Sequence, residues 1–178
     1  FMKAYLAQKN ANLAQNHATL RESKRKSKAE SKYDSIESPV ICGINAMIDA
    51  LFIALQNNNA NLTQGLRFLI GQKAINPRTS SPLKRWNLFL RWVARKDNID
   101  LGLWQNPQNT QDSLDKADLI LPLDTHTFRL SKKLNLLQGK TYNLYSALEI
   151  TSNLARFCAD DPVKYDFALY RLGQEKLL

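Results

Sequence analysis

From Pro39 onward, nearly every segment of the chain repeats its apolar residues at helical spacing, and none alternates apolar with polar residues over a strand's length. A helical period cannot keep one face of a pleated strand apolar, so the pattern predicts an all-α fold. "PVICGINAMIDALFIAL" predicts a buried helix over Pro39–Leu55. Ser38 stands at its N-cap, and Pro39 at the first helical position, where a missing N–H costs nothing. Leu62–Ile70 predicts a second helix. Leu83–Val93 predicts a third, with Leu83, Trp86, Leu90 and Val93 on one face. "RKDNIDLGLWQNPQN" reads as a long loop punctuated by Gly102 and Pro107. Ser113–Leu119 reads as a short helix. Pro122 then breaks the chain, and Asp124 occupies the N-cap position of a helix carrying Leu130, Leu134 and Leu137. Asn143–Phe157 is amphipathic, and a last helix opens on Asp161 and Pro162 and closes near Gly173. The chain contains no internal repeat.

Residues 1–36 are different in kind. They are rich in Lys, Ser, Asn and Gln, and Leu6, Leu13 and Leu20 support only a weak helix. "RESKRKSKAESKYDS" reads as a linker, so the expected organisation is a basic, polar extension over 1–36 and a helical domain over 37–178. Of the formal net charge of +9, the stretch Phe1–Lys32 holds +6, from eight Lys or Arg and two Glu. A basic excess favours a polyanionic partner, nucleic acid above all, although a solvated helix face or tail explains such a run equally well. No run of about 18 apolar residues predicts a membrane span, and no signal peptide is visible. A cytoplasmic protein is expected. The chain opens on Phe1, so an upstream start is expected too. Cys42 and Cys158 read as reduced core thiols. Two cysteines and two histidines, His17 and His126, are too few and too scattered to predict an iron–sulfur or zinc centre, and no cofactor is expected.

Two stretches carry possible chemistry. In "SPLKRWNLFLRWVARK", Lys84, Leu88, Arg91 and Arg95 lie opposite the apolar stripe and predict an outward basic edge. Such an edge is either a set of long side chains snorkelling off a core helix or a surface for phosphates. In "ILPLDTHTFRLSKKL", Asp124 is either a plain helix cap or a reactive carboxylate. Capping alone satisfies the local physics. Trp86 reads as core, while Trp92 and Trp104 could pack or stack on bases.

Taken together, "SPLKRWNLFLRW" and "LILPLDTHTFRLSKKLNLL" resemble the active-site half of the helix-hairpin-helix DNA glycosylase superfamily, of which endonuclease III is the familiar member. There a hairpin leads into a helix opening Lys-x-x-Asn, matched by Lys84 and Asn87. A Val-Asp-Thr-His segment opens a later helix, matched by Asp124, Thr125 and His126, with Arg129 and Leu130 following. The chain is closer still to an uncharacterised bacterial family with the motifs "KR-N-FLRW", "DLGLW", "PLDTH" and "DPVKYDFAL", present here at Lys84–Trp92, Asp100–Trp104, Pro122–His126 and Asp161–Leu169. The resemblance covers roughly residues 80 to 173. Departures are visible, among them an insertion between Lys84 and Asp124 longer than in endonuclease III. The superfamily's Gly-x-Gly hairpin is replaced by Ser80-Ser81-Pro82-Leu83, without glycine. The region before residue 80 is shorter than the usual barrel half, as in a domain truncated on its N-terminal side.

The resemblance implies a DNA-binding repair protein that excises a damaged base. Asp124 would stabilise the cationic sugar of the transition state. Lys84, in its free-base form, would attack C1′ and form a Schiff base. Arg85, Asn87, Arg91, Arg95, His126 and Arg129 would contact DNA. Two alternatives stand beside it: a non-catalytic nucleic-acid-binding module on the same scaffold, and a protein-interaction domain.

Overall fold

A computed structural model describes residues 1–19, 38–105 and 114–175, with side chains omitted for 13–19. Among the described residues, seven α-helices run in the order α1 (Met2–Thr19), α2 (Pro39–Asn57), α3 (Gln64–Ile70), α4 (Lys84–Ala94), α5 (Thr125–Lys133), α6 (Leu144–Ala155) and α7 (Asp166–Glu175). Single 3-10 turns occupy Lys116–Asp118 and Pro162–Tyr165. Among the described residues the only extended pairing is one antiparallel bridge between Lys96 and Leu101. The all-α expectation therefore holds.

The core draws on α2, α4, α6 and the segment Leu119–Leu123. Ile41, Ile44, Leu90, Leu121, Leu123, Leu144 and Leu148 are fully buried there. α2 is long and apolar enough, by length and composition, to cross a membrane. Its first half instead buries Val40, Ile41, Ile44 and Ile48 in this core, while Leu51 and Ile53 in its second half are exposed. The buried helix expected over Pro39–Leu55 forms and runs to Asn57, with its buried residues on the N-terminal half.

α1 departs from the extension expected over residues 1–36. Tyr5 is completely buried and donates a hydrogen bond to Asp118 Oδ2 at 2.7 Å. An aromatic chain runs from the Phe1 ring through Trp104 and Phe89 to Trp86, with centroids 5.8, 5.4 and 6.5 Å apart. Gly43 admits this contact, because a Cβ there would collide with the Phe1 ring. The apolar surface joined by Phe1 and Tyr5 is large enough to hold a helix whose own period is weak. The linker expected in "RESKRKSKAESKYDS" lies outside the described residues.

Two helix ends also differ from expectation. The helix expected over Thr125–Leu137 stops at Lys133, because Asn135 turns into the left-handed region (φ 55°) and the Leu136 N–H returns to Ser131 O at 2.8 Å. Asparagine is one of the few side chains that tolerates this helix-ending conformation. Asp161 stands before its 3-10 turn without capping it. Its carboxylate instead receives Arg95, with Nε at 3.0 Å.

Candidate functional site

The polar segment just before α6, the first turn of that helix and Thr151 further along it position the site. Asn143 caps α6 by accepting from Ser146 N at 3.0 Å, and its Nδ2 donates to Arg78 O at 2.8 Å. The N–H groups of Leu144 and Tyr145, unpaired within the helix, donate to Ser80 O and Pro77 O at 3.0 and 2.9 Å. The loop leading to α4 is thereby fixed to the start of α6. The approach to α5 is fixed to the same helix: Leu121 N donates to Thr151 Oγ1 at 3.0 Å, and Tyr142 Oη to Leu123 O at 2.7 Å. Two segments far apart in sequence thus end side by side.

The turn into α4 has hairpin character without glycine. Leu83 sits at φ 53°, ψ 33°, the left-handed conformation that glycine adopts freely and leucine resists by about 1–2 kcal/mol. Asn87 Nδ2 donates to Pro82 O at 3.0 Å and clamps the turn from inside. Burial of the Leu83 side chain offsets the backbone cost.

These supports bring Lys84 and Asp124 together. Lys84 Nζ lies 3.5 Å from Asp124 Oδ2, with the lysine partly exposed and the carboxylate mostly covered. The other carboxylate oxygen, Oδ1, accepts from Thr127 N at 2.7 Å, so Asp124 does cap α5. Burial, and then the Asp124 charge, raise the Tyr142 phenol above its ordinary value. Asn87 Oδ1 and Thr127 Oγ1, which flank the pair in sequence, are buried and lack hydrogen-bond partners among the described residues.

The remaining expected contacts divide. Arg85 is exposed at the start of α4, where its guanidinium covers the Phe68 ring at 4.0 Å and donates to Phe68 O. Arg129 is exposed on α5. His126 is exposed, its ring edge-on to Tyr170 at 6.4 Å, so it faces α7. Asn87 is buried in the turn. The outward basic edge does not extend to Arg91 and Arg95, which are 5% and 7% exposed. Arg91 is held by Asp100 Oδ1 at 3.0 Å and by Asp166, and Arg95 by Asp97 at 2.8 Å, Asp161 and Asp100. Desolvating a guanidinium is tolerable only with such partners. Burial pushes the Asp166 carboxyl up to about 6 against the pull of Arg91. Cys42 and Cys158 are half-buried.

The profile of a family described as protein of unknown function, DUF2400, matches residues 2–175. The chain belongs to that family. No curated protein and no solved structure matches it. The DUF2400 match takes in α1 together with the Lys84–Asp124 pair, in keeping with Tyr5 being part of the core.

Proposed function

We propose that the chain is a DNA-binding repair protein of glycosylase type, on a glycosylase-like helical scaffold, with Asp124 and Lys84 acting on one deoxyribose. The observation that supports this reading is the 3.5 Å approach of Lys84 Nζ to Asp124 Oδ2 across forty residues of sequence, at the starts of two helices. A carboxylate there stabilises positive charge growing on the sugar as the base departs. An amine there, in its free-base form, bonds to C1′ as the C1′–N bond breaks, and the proton that the attacking nitrogen then loses passes by way of Asp124 to the leaving base, which leaves the carboxylate ionised.

A second reading has its own support. Both oxygens of Asp124 are engaged, one by Thr127 N and one by Lys84, as a purely structural carboxylate would be. On that reading the chain binds nucleic acid without cutting it. Borohydride trapping across a panel of damaged duplexes separates the two. The catalytic reading expects a covalent protein–DNA adduct that Lys84→Gln abolishes. Duplex binding with neither released base nor adduct from any lesion would overturn it in favour of the scaffold.

A further inference from the structure

From Ala50 to Lys96 the chain contains no Asp or Glu, yet it carries eight Lys or Arg. Arg91 and Arg95 are consumed internally, and Lys73 pairs with Asp49 at 2.9 Å. Among the described residues, exposed Arg67, Arg78 and Arg85 pair with no carboxylate. The same stretch exposes Phe68 on α3, with 67% of its surface open.

A single exposed aromatic needs no explanation. This one is held in place by its neighbours. The Arg85 guanidinium lies over the ring at 4.0 Å and donates to the Phe68 carbonyl, and Trp86 Nε1 donates to Ile70 O at 2.8 Å. α3 is therefore fastened to the first turn of α4, and the ring is fixed beside the residue that follows Lys84. A fixed aromatic with a stacked arginine, on a stretch of chain rich in Lys and Arg and without Asp or Glu, suits a flat, electron-rich ring attached to phosphates.

We infer that Phe68 and Arg85 form a stacking platform for an unpaired base of a DNA strand, with Arg67 and Arg78 meeting the flanking phosphates. The inference rests on the proposed function for its partner, DNA, and not for its chemistry. It makes the chain a reader of unpaired bases and not of intact duplex alone.

Fluorescence anisotropy with three DNA probes tests it: a single strand, a duplex with a one-base bulge, and the fully paired duplex of equal length. Phe68→Ala is expected to weaken binding to the first two by about five- to a hundred-fold, the scale of one lost base stack, and to leave the paired duplex nearly unchanged. Phe68→Tyr keeps the ring and should restore selectivity. Because Phe68 is exposed and its contact with Arg85 includes the main-chain oxygen, the variant should fold; circular dichroism and Tm check this. Equal losses on all three probes, or none, overturn the platform. If the parent forms the borohydride adduct while Phe68→Ala binds like the parent, only the platform fails. If the selective loss appears and no lesion yields an adduct, the platform stands and the excision chemistry fails. A parent that binds none of the probes overturns both.

Discussion

Asp124 Oδ1 accepts from the backbone of α5 while Oδ2 meets Lys84, and this division allows the cap to be separated from the charge. Asn keeps an oxygen for Thr127 N and removes the charge. Asp124→Asn should cost only the helix-dipole contribution of about 0.3–1 kcal/mol and a partly exposed ion pair worth at most about 1 kcal/mol. It should lower base excision about 100-fold or more. Asp124→Ala should lose the cap as well, a further cost of about 0.5–2 kcal/mol visible in urea denaturation. An Asn variant that excises as fast as its parent would reduce Asp124 to a cap. The same variant should also let Tyr142 ionise at lower pH, since a neighbouring negative charge opposes phenolate formation. Absorbance titration of the phenol checks this without any substrate. At this scale the sequence showed the Asp124 cap plainly, because an Asp after Pro122 and before an apolar period has few other roles. It did not show the left-handed Leu83. Leucine carries no signal for a positive φ, and only the clamp from Asn87 and the tie to α6 impose one.

α4 binds α7 and the loop that follows it through charges inside the protein. Arg91 bridges Asp100 to Asp166, and Arg95 bridges Asp100 to Asp161. Amphipathic reasoning sends arginines on the polar side of a helix to solvent, which is why both were expected on DNA. The signal against that expectation was present in "RKDNID" and "DDP", acidic segments able to fold back over the helix, but only the tertiary path decides whether they do. Removing one partner of such a cluster leaves a buried charge unmatched, so Arg91→Ala should destabilise the protein by about 3–5 kcal/mol. Asp166 adds a pH dependence of definite sign. Its carboxyl is raised from 3.8 to about 6 on folding, so between those values the folded chain keeps a proton that the unfolded chain has released. Its contribution must then make stability fall as pH rises through that window and level off above about 6. Asp166→Asn should lack the falling component in urea midpoints followed across the window. An unchanged slope in the variant would assign the titration to another group.

For the whole molecule, the order of most described helices could be read from periodicity, whereas the helix expected over Ser113–Leu119 is only the 3-10 turn Lys116–Asp118 among the described residues. The docking of α1 could not, since its hold on the core comes from Phe1, Tyr5 and Lys9 meeting partners more than a hundred residues away or on α2. That contact changes how the basic N-terminal stretch can be tested. Deleting residues 1–32 would remove Tyr5, whose phenol burial pushes up to about 12, and would damage the core along with the charge. Substitution avoids the confusion. Lys24, Arg25, Lys26 and Lys28 lie outside the described residues and concentrate the excess of bases there. Each phosphate contact on duplex DNA contributes about 0.9 to the slope of log K against log salt. Replacing the four by Gln should leave Tm unchanged and make that slope shallower by up to about 0.9 for each residue that touches phosphate. If the slope keeps its value, the four bases make no phosphate contacts. Binding then belongs to the acid-free stretch from Ala50 to Lys96, where the same measurement on Arg67→Gln and Arg78→Gln should show the loss.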